Sequence, residues 1–224
     1  MSKPLFLQLP LVALALLGGA IGNAGMIDKK GMAPWETCAL CHGADGISHV
    51  DKFPKLAGQN EAYIVRQVLD FSTGRRDNDN GQMRSILSEL EPGELERVAS
   101  YFAQLPPPEA GLEDLDAPLD NKRYKLGRST FCTGRDDVPA CVGCHGSGDP
   151  SIPWLDAQHR QYLRKQIIDF REGVRNNDKG MAMQNAVRKL TGEEVEAVAY
   201  YLSLTRFERE KTSSCALQQS TEVH

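Results

Sequence analysis

Histidine and methionine are scarce in this chain, at five and six of 224 residues. Each one that falls in a motif therefore carries weight. After residue 24 no apolar run is long enough to span a bilayer, which excludes a membrane domain in the mature chain. No segment alternates apolar and polar residues in the manner of strands, which excludes the βαβ setting of a thioredoxin-like redox site. Neither cysteine pair has a second pair of metal ligands at close spacing, which excludes a structural zinc site. Neither sign of charge dominates, with a formal net charge of −4, and no nucleic-acid partner is expected.

The N-terminus supplies the one long apolar stretch. MSKPLFLQLPLVALALLGGAIGNAG carries a single charge, Lys3, then an apolar core over residues 11–20, then small residues. That core is short for a membrane span and reads as a secretory signal peptide over residues 1–24, cleaved near Ala24 with Gly22 and Ala24 at the small-residue positions. The alternative is an uncleaved anchor. Export to the periplasm is expected either way. Six cysteines in an exported chain first suggest disulfides, but four of them stand in a different pattern.

Cys38-Ala-Leu-Cys41-His42 and Cys141-Val-Gly-Cys144-His145 both read C-x-x-C-H. In that arrangement two thiols add across the two vinyl groups of haem as thioethers, and the following histidine sits beneath the iron as proximal ligand. Each motif is followed by glycine, Gly43 or Gly146. Two covalently bound haem c groups are the expected cofactors.

The two motifs head two matching halves. Tyr63, Gln67, Phe71, Gly74 and Arg76 recur as Tyr162, Gln166, Phe170, Gly173 and Arg175, and Asn78-Asp79 recurs as Asn177-Asp178. Further on, Leu90, Val98, Ala99 and Tyr101 match Leu190, Val198, Ala199 and Tyr201 with one residue inserted after Asp178. The expected organisation is a first domain over 25–105, a proline-rich acidic linker over 106–120, a second domain over 121–211 and a polar tail over 212–224. Within each half the pattern is all-α. One helix is expected over Glu61–Thr73 with Asn60 as N-cap, and its counterpart over Ala157–Glu172 after Asp156. Closing helices carry Leu95, Val98, Ala99 and Phe102, then Val195, Val198, Ala199 and Leu202, at helical spacing. Thr191 and Glu194 form a capping box for the second, whereas Glu91 and Pro92 open the first less well. A short helix before each motif is expected to carry Gly31 and Trp35, then Gly127 and Phe131. Each half is a small domain with a modest core, and a haem is a large apolar plate for its helices to pack around.

For the second axial ligand, His49 and His159 follow the proximal histidines too soon to return to the opposite haem face, and His224 ends the tail. Met1 leaves with the signal, and Met26 and Met32 precede the first motif. Met83 remains for the first half, and Met181 or Met183 for the second. Met83 stands seven residues before Leu90 and Met183 seven before Leu190, so the repeat selects Met183, with Met181 as a neighbouring packing residue. The alternative is that these methionines only fill a core.

Phe53-Pro54-Lys55-Leu56-Ala57-Gly58-Gln59, the run Tyr63-x-x-x-Gln67-x-x-x-Phe71-x-x-Gly74, and the stretch from Asp169 to Asp178 together resemble di-haem cytochrome c4. The resemblance covers about residues 30–211. It implies two tandem class I cytochrome c domains, each wrapped around one haem with His/Met iron, and periplasmic electron transfer. It matches the axial ligands to His42 with Met83 and His145 with Met183. It also gives Pro54 and Pro153 a role, their carbonyls accepting from the proximal histidine rings; the alternative is a plain turn proline. The second half departs here, with Ile152-Pro153-Trp154-Leu155-Asp156-Ala157-Gln158 on a loop four residues shorter. Tyr63, Tyr162, Arg76 and Arg175 are candidates to reach haem propionates, with an exposed surface role as the alternative for the arginines.

Closed His/Met iron suits outer-sphere electron transfer and not substrate turnover. An electron carrier is therefore expected, and not an enzyme. Its donor would be a quinol-oxidising complex or a dehydrogenase, and its acceptor a terminal oxidase or reductase; peripheral membrane association stays open. The alternatives are a di-haem enzyme of peroxidase or sulfur-oxidising type, which needs an open iron site, or a dedicated haem subunit of a periplasmic dehydrogenase. Residues 25–110 carry 13 acidic and 9 basic side chains, whereas residues 121–224 carry 13 and 16. The two ends therefore offer different fields to partners, or simply an ordinary solvated surface. Cys132 and Cys215 remain: as a disulfide, as free thiols, or with Cys132 as a redox or ligand cysteine.

Overall fold

A computed structural model describes residues 30–109, 119–207 and 215. The expected signal peptide, most of the linker and the tail apart from Cys215 lie outside these residues. Among the described residues there are nine α-helices and no strand, only an isolated bridge between Arg135 and Val138.

The first half holds α1 (Pro34–His42), α2 (Glu61–Ser72), α3 (Gln82–Leu87) and α4 (Glu94–Gln104). The second holds α5 (Asn121–Cys132), α6 (Val142–His145), α7 (Arg160–Arg171), α8 (Ala182–Val187) and α9 (Gly192–Leu204). α1 starts at a proline whose missing N–H costs nothing in the first turn, and Glu36 accepts from the Ala33 N–H at 2.7 Å. α9 begins with the expected capping box: Thr191 Oγ1 accepts from the Glu194 N–H at 3.2 Å and Glu194 Oε2 from the Thr191 N–H at 2.8 Å. α4 has half of that device, Glu91 N–H to Glu94 Oε2 at 2.9 Å, after a left-handed Gly93.

Three expected boundaries shift. Gly31 lies before α1 at φ 81°, and α1 runs on through the first motif itself. α7 starts at Arg160, not at Ala157. Ala157 is left-handed at φ 55°, as Gly58 is at φ 72° in the first half. Both place their N–H on a closing-helix carbonyl, Ala157 on Leu202 and Gly58 on Phe102. The backbone must turn there before a helix can begin, so the N-cap position falls to His159 and not to Asp156. Asn60 stands at the N-cap position of α2, but its side chain makes no capping bond.

In each half the closing helix supplies the apolar spine. Val98, Ala99 and Phe102 pack with Ile64 in the first, and Val198, Ala199, Tyr201 and Leu202 with Phe131 and Leu163 in the second. An aromatic pair joins first and last helices twice: Trp35 stacks on Tyr101 at 4.7 Å, and Phe131 lies 5.9 Å from Tyr201. α5 and α9 cross so closely that a Cβ on Gly127 would stand 2.0 Å from the Ala197 carbonyl oxygen, so only glycine fits. Cys132, at the end of α5, forms a disulfide with Cys215, their Cα atoms 5.7 Å apart, which ties the tail to the second half.

Candidate haem sites

The motif cysteines sit three residues apart on single helical turns, Cys38 and Cys41 in α1, Cys141 and Cys144 beside and within α6. That spacing puts both thiols of a pair on one face. Burial pushes the Cys38 and Cys141 thiols up to about 11. A reactive redox dithiol has a thiol depressed toward neutral pH, whereas these two are raised. Among the described residues no group of three or more His, Cys, Asp or Glu is placed to hold a metal ion by itself.

Each motif histidine is aimed by a proline carbonyl. His42 Nδ1 lies 2.9 Å from the Pro54 oxygen, and His145 Nδ1 lies 3.0 Å from the Pro153 oxygen. A carbonyl can only accept, so Nδ1 carries the proton and Nε2 keeps its lone pair for a metal. The loop that closes this bond spans 12 residues in the first half and 8 in the second, which is the four-residue shortening. Burial lowers both imidazoles below the ordinary histidine value against the opposing carbonyl bond. The neutral ring is the form that ligates.

Met83 and Met183 occupy matching first turns. Met83 is the second residue of α3 and Met183 the second of α8. Both are half-buried. Met183 packs against the Val138, Phe170, Val187, Leu190 and Val195 cluster, while Cys141 packs against the cluster built on Phe131 and Leu163. Ile167 touches both clusters. The cysteine side and the methionine side of the second half thus meet across one apolar zone, as an inserted haem requires. Met181 does not pack beside Met183 as expected: the residue is 54% exposed. It sits on the left-handed turn before α8 at φ 57°, where the first half has Gly81 at φ 76°. The inserted residue therefore falls between Asp178 and that turn. It also shifts the aspartate cap, since Asp79 accepts from the Met83 N–H at 2.6 Å but Asp178 from the Gln184 N–H at 3.1 Å.

Arg76 and Arg175 are buried at the junction of the two halves, not exposed. Their bonds cross reciprocally. Arg76 donates to Gln67 at 2.8 Å, and across the junction to Tyr162 at 3.2 Å and Gln166 at 3.0 Å. Arg175 donates to Gln166 at 2.7 Å, and across to Tyr63 at 3.2 Å and Gln67 at 2.8 Å. Each guanidinium also lies 4.4 Å over its own half's ring, Phe71 or Phe170. These acceptors are all neutral. Burial and the neighbouring Arg76 charge hold Arg175 below the ordinary arginine value. Burial alone would raise the Tyr63 phenol, but Arg175 and Arg76 beside it hold it below the ordinary tyrosine value. Two buried cations with neutral partners form a site suited to an anion.

Sequence reasoning missed a second set of cross-junction contacts. His159 is buried, with Nε2 donating to the Ser48 carbonyl at 2.9 Å, whereas His49 is exposed. Asn60 and Gln59 reach Ile152 and Trp154, and Gln158 reaches Lys55. The signal was present as a repeated polar pair, Gln59 and Gln158, standing 99 residues apart like their neighbours.

No family model matches the chain. Its relatives are informative. A protein named cytochrome c4 from Pseudomonas aeruginosa is 35% identical over 211 residues, covering 90% of this chain and 98% of that one. A thiosulfate dehydrogenase electron acceptor from Stutzerimonas stutzeri is 32% identical over 203 residues, covering 88% and 90%. The crystal structure of reduced recombinant cytochrome c4 from Pseudomonas stutzeri superimposes with a TM-score of 0.66 at 32% identity, covering 79% of this chain and 98% of that chain.

Proposed function

The chain belongs to the cytochrome c4 family of di-haem electron-transfer proteins, and we propose that it works in the periplasm as a carrier whose two domains, 25–105 and 121–211, are joined by the linker 106–120. It has two class I cytochrome c domains and two covalent haem c groups. We assign Cys38, Cys41, Cys141 and Cys144 to the thioether links, His42 with Met83 to the first iron, and His145 with Met183 to the second. Pro54 and Pro153 orient the two histidines. The observation that carries this reading is the duplicated His–Pro bond, which leaves one Nε2 lone pair per half free to ligate.

The bound haems supply a reversible one-electron couple apiece. The protein's part is to close both axial positions, keep water off the apolar zone around Phe170 and Leu163, and hold the two halves in fixed register. Methionine as sixth ligand raises the potential relative to two histidines and leaves no position for a substrate. Arg76 and Arg175, with Tyr63 and Tyr162, suit propionate carboxylates at the junction, where they would supply charge compensation. Export is supported by the signal-like pattern of residues 1–24 and by the Cys132–Cys215 disulfide, which belongs to an oxidising compartment. No helix among the described residues is long and apolar enough to cross a membrane.

For partners we propose a periplasmic dehydrogenase or quinol-oxidising complex as donor and a terminal oxidase or reductase as acceptor. The relative named as a thiosulfate dehydrogenase electron acceptor supports the dehydrogenase arm. Carbon monoxide added to the reduced protein separates carrier from enzyme. A carrier with both axial positions closed shows no fast binding; rapid binding at one haem would instead favour a di-haem enzyme.

A further inference from the structure

Each proximal histidine leans on a peptide group whose other end is held by the opposite domain. The carbonyl that accepts from His42 Nδ1 belongs to the Pro54–Lys55 peptide. The N–H of that same peptide, on Lys55, donates to Gln158 Oε1 at 2.9 Å. Gln158 Nε2 then donates to the Lys55 carbonyl at 3.0 Å, so the side-chain amide grips the Lys55 backbone at both its N–H and its C=O. The second half mirrors the first. The Pro153 carbonyl accepts from His145, the Trp154 N–H of the same peptide donates to Gln59 Oε1 at 3.0 Å, and Gln59 Nε2 donates to the Trp154 carbonyl at 3.0 Å.

Both glutamines are buried, at 8% and 7% exposure. Each Oε1 also takes the N–H of the following residue, Asn60 or His159, at 3.0 Å, which fixes which way the amide faces. The grip is therefore a built contact made twice, and not a chance meeting of surface side chains.

We propose that Gln158 and Gln59 are positioning residues that act across the domain boundary on the proximal histidine of the other domain. The inference rests on His42 and His145 being the proximal ligands. Its physical basis is hydrogen-bond cooperativity. An acceptor at a peptide N–H polarises that peptide and makes its carbonyl a stronger acceptor in turn. A stronger acceptor at Nδ1 gives the histidine more imidazolate character and makes it a more basic ligand. A more basic ligand favours the oxidised iron and lowers the potential. Gln158, in the second domain, thus holds down the potential of the first haem, and Gln59 does the same for the second. Docking of the two domains becomes part of the tuning of each redox centre.

The test is crossed. In the intact di-haem protein, Gln158→Met removes both grips at similar volume, and Gln158→Glu keeps an acceptor facing Lys55. Potentials of the two haems are resolved by spectropotentiometry, and the His42 Nδ1 proton is followed by NMR in the reduced protein. Gln158→Met is expected to raise the first haem's potential, leave the second unchanged and move the His42 Nδ1 proton upfield; Gln158→Glu should not raise it. Gln59→Met should give the mirror result on the second haem and His145. Unchanged potentials, or equal shifts of both haems in every variant, would overturn the proposal. His42→Ala serves as the control on its premise. If the first haem keeps its low-spin histidine spectrum in that variant, the ligand assignment is what fails, and the clamp falls with it.

Discussion

Met181 occupies, in the second half, the left-handed backbone position that Gly81 occupies in the first, with φ of 57° against 76°. Two methionines separated by one alanine thus have unlike roles. Met183 is the half-buried second residue of α8, and Met181 is exposed on a turn built for glycine.

That distinction is testable by paired substitution. Met183→Ala is expected to abolish the weak sulfur-to-iron absorption of the second oxidised haem. Met181→Gly should leave it intact and stabilise the protein by about 1 kcal/mol, since a side chain in the left-handed region costs roughly that much. Visible spectra and denaturant unfolding read the two effects. Loss of the band in the Met181 variant would reverse the assignment.

The arginine pair makes a prediction about coupling. Arg76 and Arg175 share both glutamine acceptors, so either one alone still serves Gln67 and Gln166. Removing one also relieves its like-charge neighbour. Both effects make the double variant worse than the sum of the singles. A cycle of Arg76→Leu, Arg175→Leu and the double variant should show a coupling of about 0.5–3 kcal/mol in that direction. Strict additivity in unfolding experiments would show that the two do not act as a unit.

A pH dependence follows from the cap of α9. The Arg135 bond, at 3.0 Å, holds Glu194 below the ordinary glutamate value of 4.5. A carboxylate depressed on folding contributes stability that is fully present above its unfolded value and is lost as pH falls through the lower folded value. Glu194→Gln should therefore be less stable than the parent at neutral pH, with the gap closing as pH drops below the ordinary glutamate range. A gap that stays constant across an acid unfolding series would remove the charged contact as its source.

Much of the site was legible because its chemistry is local. Two C-x-x-C-H motifs and a methionine seven residues before a matched leucine need no tertiary information to be read, whereas the role of Pro54 and Pro153 came only from the family resemblance. The capping box at Thr191 and Glu194 likewise follows from four consecutive residues. The start of α7 was misread because Ala157 looks like a good helix former. The repeat contained the correction, since Arg160 matches Glu61 and Ala157 matches the left-handed Gly58. The junction was hidden for a deeper reason. Gln59, Gln158, Arg76 and Arg175 look like surface residues to any periodicity argument, because their partners lie about 90–112 residues away in the chain. Periodicity reports which face of a helix is buried against its own domain. It is silent on a polar face buried against a second copy of the same fold.

A potentiometric titration of the whole protein, with visible spectra at each step, tests most directly whether the molecule holds two closed redox centres. Two one-electron components of low-spin His/Met character are expected, both showing the sulfur-to-iron band when oxidised. A component without that band, or a single haem in place of two, would contradict it.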